Sequence, residues 1–134
     1  MKAAVLHAVR DLRLEDLAQP RITAPDEVLV RVRYVGVCGS DLHYYTHGHV
    51  GRYRVESPMI LGHECAGEVV EAGAAVRGLP TGTKVALEPG LPCRKCDYCR
   101  NGRYNLCPQI LFMATPPVHG SLAEYVVMPA DFLF

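Results

Sequence analysis

Four cysteines lie close together in the second half of the chain. They follow the spacing C-x2-C-x2-C-x7-C, and they are Cys93, Cys96, Cys99 and Cys107. Four thiolates at such short intervals can converge on one ion, and four sulfur ligands without a histidine are typical of a closed, structural zinc site. The spacing therefore predicts a zinc-binding lobe over about residues 93–107, where no catalysis is expected.

Other uses of these cysteines have to be weighed. Disulfides need an oxidising compartment, and no secretory signal is apparent. An iron-sulfur run also begins C-x2-C-x2-C and ends in Cys-Pro, as Cys107-Pro108 does, but it has three residues before its last cysteine rather than seven. A zinc module that reads nucleic acid is disfavoured because the chain is electrically neutral. Basic residues interleave the cysteines and are expected to offset the thiolate charge: Arg94, Lys95, Arg100 and Arg103.

A second group of possible ligands is spread over the first half of the chain. Cys38 is followed some 25 residues later by Gly62-His63-Glu64. One cysteine, one histidine and a carboxylate or water leave a coordination position for a substrate, which is the catalytic type of zinc site. Each residue alone also has an ordinary explanation, such as a buried thiol or a hydrogen-bonded core histidine. Spacing alone leaves these interpretations open.

The elements that would carry these residues are predicted to be strands. Glu27–Val37 alternates, with Val28, Val30, Val32 and Tyr34 on one face and Arg31 and Arg33 on the other. Shorter strand patterns cover 2–6, 12–16, 67–71, 84–87 and 124–128. Ser40 is expected to cap a short helix after Cys38. Twelve glycines and ten prolines punctuate the chain, which favours a mainly β fold with short turns.

Length and charge limit the remaining possibilities. The chain has 134 residues, which is enough for one core, and 14 basic residues balance 14 acidic ones. No charged surface that would attract nucleic acid or an anionic membrane is therefore expected. No apolar stretch approaches the roughly 20 residues that span a bilayer, and we expect a cytoplasmic protein.

The stretch Gly62-His63-Glu64, followed by Gly67, Gly73 and Val76, resembles the motif G-H-E-x2-G-x5-G-x2-V of zinc-containing medium-chain dehydrogenases. The segment Val37–Asp41 and the four-cysteine lobe occur in the order of that family. Within it the chain is most similar to polyol dehydrogenases of the sorbitol and xylitol type. The stretches that carry this closer likeness are 38–44, 88–90, 102–108 and 112–117.

The resemblance implies a GroES-like β-barrel over residues 1–134, with short helices and the zinc lobe. It also implies a partner Rossmann domain for NAD or NADP, and no G-x-G-x-x-G motif occurs in this sequence. These 134 residues alone are therefore expected to be inactive. The expected partner is a small polyol, and the whole enzyme is expected to be a homo-oligomer, a tetramer.

The resemblance also implies roles for single residues. Cys38, His63 and Glu64 correspond to ligands of a catalytic zinc, with a role for Glu64 beside the ligands as the alternative. Ser40 corresponds to a hydroxyl that takes the alcohol proton, and His43 would pass it to solvent. Tyr44 and Phe112 match positions that line the polyol pocket, although each could equally be core. His7, His47, His49 and His119 have no predicted role.

Two kinds of function remain open at this point. One is the catalytic domain of a zinc oxidoreductase, either a polyol dehydrogenase or another alcohol or threonine dehydrogenase. The other is a zinc-stabilised binding module without chemistry of its own.

Overall fold

The fold consists mainly of short strands. A computed structural model describes all 134 residues and contains eleven strands and two α-helices. The strands are β1 (Lys2–Ala8), β2 (Asp11–Asp16), β3 (Glu27–Gly36), β4 (His49–Val50), β5 (Tyr53–Arg54), β6 (Met59–Ile60), β7 (Glu64–Ala72), β8 (Lys84–Ala86), β9 (Gly90–Leu91), β10 (Leu111–Phe112) and β11 (Tyr125–Pro129). The helices are α1 (Gly39–His47) and α2 (Asp97–Arg100), and 3-10 turns span Tyr104–Leu106 and Ala130–Phe132. Every strand predicted from the sequence is present.

The largest sheet has the order β11-β3-β7-β8, and its neighbouring strands are antiparallel. Val30 in β3 pairs with Val126 on one side and with Val69 on the other. These valines belong to the main apolar cluster, which also includes Val28, Val85 and Phe132. The sheet therefore supplies much of the core, and it places the end of β3 beside the start of β7.

The predicted face of β3 is correct at its start and wrong at its end. Val28 and Val30 are fully buried, but Tyr34 is 78 % exposed. The pairing of β3 with β7 shifts between Val32 and Tyr34, where β3 has one extra residue. A bulge of one residue reverses the alternation beyond it, so Val35 packs against the core in place of Tyr34.

The barrel expected from the resemblance is not closed here. The strands form four sheets, namely the large sheet, β2-β1-β6, β4-β5 and β10-β9. Contacts between strand regions outside these sheets are single bridges, at Ala3–Ala123 and Leu87–Leu133. Single bridges are too short to continue a ladder around a barrel, so the mainly β prediction is confirmed while barrel closure is not.

Helix α1 is held in place by packing and by its two ends. Tyr44 is 3 % exposed and packs in a second apolar cluster with Leu6, Met59 and Leu61. The helix ends at Gly48, which has φ of +73° and donates its N–H to the Tyr44 carbonyl at 2.9 Å. Glycine adopts this left-handed conformation without strain, so it stops the helix cleanly. None of the helices is long and apolar enough to cross a membrane.

Candidate metal centres

The four lobe cysteines gather their sulfurs at one point. All four Sγ atoms lie within 4.8 Å of one another. The distance between Cys96 and Cys99 sulfurs is 3.4 Å, and that between Cys93 and Cys99 sulfurs is 3.9 Å. Two sulfurs on one tetrahedral zinc lie about 3.8 Å apart, whereas a disulfide needs about 2.05 Å. The thiols are all free, and their geometry fits a metal site rather than a pair of disulfides.

The lobe has no apolar core of its own. Between residues 93 and 107 the four cysteines are the only residues that are not exposed, and Cys107 is the only buried one. Helix α2 has only four residues and buries none of them. The sulfur cluster is therefore what this segment folds around, as expected for a structural metal site.

The backbone of the lobe favours thiolate at one position. Hydrogen bonds from the backbone N–H groups of Lys95 and Cys96 lower the pKa of Cys93 to about 6. Desolvation and the neighbouring thiols raise the pKa of Cys99 to about 12. A second thiolate beside the first is unfavourable without a cation, because like charges at this distance repel. The protein alone thus stabilises one negative charge here, and a divalent ion would supply the rest.

One basic residue of the lobe has a different partner from the one expected. Arg94 donates to Asp131 at 2.7 Å, and its guanidinium lies 5.5 Å from the centre of the Phe132 ring. Tyr104 packs edge-on against the same ring at 6.1 Å. Phe132 therefore anchors the lobe to the last residues of the chain. The Arg94 guanidinium pairs with Asp131, and not with a cysteine sulfur as expected.

The second set of ligands is assembled by strand pairing. A sulfur from Cys38, a ring nitrogen of His63 and a carboxylate oxygen of Glu64 lie within 4.8 Å of one another. Gly36, at the end of β3, pairs with Glu64, at the start of β7, and this register brings the two sequence segments together. A Cβ on Gly36 would lie 2.6 Å from Glu64 Oε2, so the glycine leaves space for that carboxylate.

Asp41 connects the two segments and was missed by the sequence analysis. Its carboxylate is 4 % exposed and accepts the N–H of Cys38 and the N–H of Gly62, both at 2.9 Å. Its Oδ1 also lies 3.8 Å from Nδ1 of His63. A buried carboxylate that accepts two backbone hydrogen bonds fixes the positions of both donors. One acidic residue thus holds the segments that carry all three candidate ligands.

A local signal could have identified Asp41. The N-cap of α1 is Cys38 rather than Ser40, so the predicted cap was wrong by two residues. Asp41 is then the third residue of the helix, where an acidic side chain reaches back to the N-cap backbone in a capping box. The same hydrogen bond that starts the helix therefore orients the cysteine.

The remaining predicted residues lie on α1 and β10. Ser40 is half-buried in the first helical turn, and His43 is exposed one turn further on. The Phe112 ring lies 5.6 Å from the His63 ring. Tyr44 is packed in the core, where burial raises the pKa of its hydroxyl and a hydrogen bond with Thr115 opposes that effect. Phe112 is thus adjacent to a candidate ligand, whereas Tyr44 is buried beneath the exposed face of α1.

The three-residue set is open on one side. Cys38 and His63 are half-buried, and Glu64 is exposed. A cavity of about 540 Å³ lies elsewhere and is lined by residues such as Arg33, Tyr34 and Lys84. Chemistry here is therefore indicated by the donor atoms and not by an enclosed pocket.

Comparison with known families agrees with this geometry. Residues 24–134 match the family described as the alcohol dehydrogenase GroES-like domain. The chain belongs to this family. Sorbitol dehydrogenase from Bacillus subtilis is 54 % identical over 134 residues, which are all of this chain and 38 % of that protein. D-xylulose reductase A from Aspergillus niger is 49 % identical over 130 residues, or 97 % of this chain and 36 % of that protein. The chain thus spans less than two-fifths of the length of these curated relatives.

Solved structures of two oxidoreductases superpose closely on this chain. Galactitol-1-phosphate dehydrogenase from Escherichia coli superposes with a TM-score of 0.89 at 34 % identity, covering 100 % of this chain and 37 % of that one. An Escherichia coli oxidoreductase of unknown specificity superposes with a TM-score of 0.91 at 40 % identity, covering 99 % and 39 %. At these identities the likeness extends beyond the fold to the family.

Proposed function

We propose that this chain binds two zinc ions and forms the metal-binding and substrate-binding part of a polyol dehydrogenase. The whole enzyme would oxidise a secondary hydroxyl of a sorbitol-like or xylitol-like substrate to a ketone, with NAD or NADP as the hydride acceptor. The observation that carries the proposal is the gathering of Cys38, His63 and Glu64 donor atoms within 4.8 Å. Cys38 lies directly before α1, which carries the Ser40 hydroxyl and the His43 imidazole.

The two donor sets fit zinc in different ways. The lobe offers four sulfurs and so completes a tetrahedron without a free position. The other set offers three protein donors, and its exposed side leaves the fourth position available. We assign a structural ion to the lobe and a catalytic ion to the set with three donors, with Glu64 as a direct ligand.

The residues on α1 would move the proton. A zinc ion held by Cys38, His63 and Glu64 would supply Lewis acidity, which would lower the pKa of a substrate hydroxyl toward the neutral range. Ser40 can accept the released proton and pass on its own, because a hydroxyl is both donor and acceptor. His43 lies three residues further along the same helix face and is exposed, so it can transfer the proton to solvent.

The substrate class rests on the relatives and on one contact. Those named above include a sorbitol dehydrogenase and a D-xylulose reductase, which act on small polyhydroxylated molecules or their ketones. Phe112 beside His63 would form an apolar wall against the carbon chain. A pocket role for Tyr44 stays a prediction, since its side chain is 3 % exposed and packs in the core. The nicotinamide would be held by another part of the whole protein, and the tetrameric state stays a prediction.

The test compares two substitutions of one residue in the complete enzyme. Ser40→Ala removes the hydroxyl and is expected to lower kcat for sorbitol or xylitol by about 10²–10⁴, the usual contribution of a general acid-base group. Ser40→Thr keeps a hydroxyl and should remain within about tenfold of the parent. Zinc content should be equal in all three proteins. Equal kcat values for the parent and Ser40→Ala would exclude the proposed relay.

A further inference from the structure

Two histidines outside the ligand sets form a pair on the surface of α1. His43 and His47 are four residues apart, and both are exposed. Their ring centres lie 5.2 Å apart, with an angle of 30° between the ring planes. Two histidines at this helical spacing present their rings on the same face and can share one metal ion.

The separation of the rings matches that required by chelation. A zinc-type ion binds imidazole nitrogen at about 2.0–2.1 Å, which places two ring centres about 5 Å apart around a tetrahedral ion. The observed 5.2 Å lies at that distance. The spacing of the two rings is therefore compatible with both binding one ion.

A hydrogen-bond chain presets the ligand atom of His47. The Thr46 hydroxyl donates its single proton to the Leu42 carbonyl at 2.7 Å. Its oxygen also lies 2.7 Å from Nδ1 of His47, so the ring must be the donor in that contact. Neutral His47 then carries its proton on Nδ1 and leaves the Nε2 lone pair free. Metal-binding histidines are usually oriented by such a bond from the other ring nitrogen.

The position along the helix also favours a cation. His47 is the last residue of α1, whose C-terminal carbonyls give that end a partial negative charge. A positive ion at this end is stabilised by the helix dipole.

We propose that His43 and His47 form a third metal site, which takes a divalent transition-metal ion such as nickel, copper or excess zinc. The two imidazoles supply the protein ligands, and water completes the coordination. The consequence for activity rests on the proposed function: His43 cannot accept a proton from Ser40 while its lone pair is engaged by a cation. Binding at this site therefore inhibits the enzyme reversibly.

In the binding test, the zinc-loaded 134-residue chain is titrated with Ni²⁺, and the binding is measured by calorimetry. We expect one Ni²⁺ per chain, with Kd at least tenfold weaker in His43→Gln and in His47→Gln, since either change leaves a single imidazole. Thr46→Val should weaken binding by about tenfold because the preset tautomer is lost. His7→Gln is the control, since His7 contacts Glu15 instead, and it should leave the titration unchanged. Equal Ni²⁺ affinity in the parent and His47→Gln would overturn the site.

A second measurement separates the site from the proposed relay. In the complete enzyme, Ni²⁺ should inhibit polyol oxidation, and His47→Gln should relieve that inhibition while keeping the uninhibited rate within about twofold. Ni²⁺ binding that depends on His47 but does not inhibit would support the metal site and contradict the relay role of His43.

Discussion

The two proposed metal centres differ in how much of the chain is needed to build them. The lobe draws four ligands from fifteen consecutive residues, and those sulfurs are the only core it has. The set formed by Cys38, His63 and Glu64 depends on the pairing of β3 with β7, on α1 and on Asp41. The set encoded by nearby residues offers four sulfurs around one point, whereas the set assembled by the fold offers three donors and is exposed on one side.

The largest expected effect separates the two centres by metal content. Cys96→Ser should remove one of two zinc ions per chain and unfold residues 93–107, because structural zinc contributes folding energy directly, about 10–16 kcal/mol in zinc-finger peptides. Elemental analysis and limited proteolysis measure both changes.

Cys38→Ser is the matched variant for that experiment. It should also leave one zinc ion per chain, but the lobe should stay resistant to protease. If both variants became sensitive within the lobe, the two centres would not be independent, and absorption from iron and sulfide would contradict zinc at either one.

A smaller effect is expected from Asp41→Asn. The amide can accept a hydrogen bond through only one oxygen, so one of the N–H groups of Cys38 and Gly62 loses its acceptor. An unsatisfied buried group costs about 1–3 kcal/mol, and weakened support of the ligands should reduce zinc affinity at this centre by about 10–100-fold. Competition with a chelator measures that affinity.

The control for Asp41 is an exposed carboxylate. Asp16→Asn removes only a surface ion pair with Lys2 and should change neither zinc affinity nor stability appreciably. Loss of zinc from the lobe in Asp41→Asn would mean that the residue stabilises the whole domain and not one centre.

Two glycines provide a sharper test of Glu64 as a ligand. An added Cβ at Gly36 meets Glu64 Oε2 at 2.6 Å, whereas one at Gly39 meets nothing within 4 Å. Gly36→Ala should therefore displace the carboxylate and weaken zinc binding about tenfold at the open set, with some loss of stability because the Glu64 Cβ, 3.2 Å from the added atom, must also shift. Gly39→Ala should have no effect on zinc. Unchanged affinity in Gly36→Ala would favour a role for Glu64 beside the ligands.

The smallest expected effect comes from Glu27, which belongs to neither centre. The Glu27 carboxylate accepts hydrogen bonds from the Thr23 N–H, the Ala24 N–H and the Thr23 hydroxyl, and the first of these is the main reason why its pKa is lowered. A lowered pKa stabilises the fold above the ordinary pKa of the carboxyl, and that stability is lost as pH falls through the folded value. Glu27→Gln should reduce Tm by about 2–5 °C at pH 7 and flatten its dependence below about pH 5. An equal slope in both proteins would show that another group is responsible.

Local patterns predicted the strands well because alternation and turn residues act over a few positions. The pattern could not locate the bulge in β3, since an extra residue is defined only against the partner strand β7. Tyr34 was therefore assigned to the wrong face. Ser40 was chosen as the cap for its residue type, although the backbone geometry and Asp41 make Cys38 the N-cap. The first error arises because the partner strand decides the register, whereas the second arises from a capping box that is local to α1.

The sequence alone was sufficient to predict that the four cysteines of the lobe lie together. Four cysteines within fifteen residues can reach a common point with little help from the rest of the chain. The sequence also carried the likeness to zinc dehydrogenases, through motifs that are contiguous. The distance between Cys38 and His63 donors, the place of Glu64 beside Gly36 and the clamp by Asp41 came only from the folded chain. Residues some 25 positions apart meet through strand register and buried hydrogen bonds, and both of these are properties of two segments together.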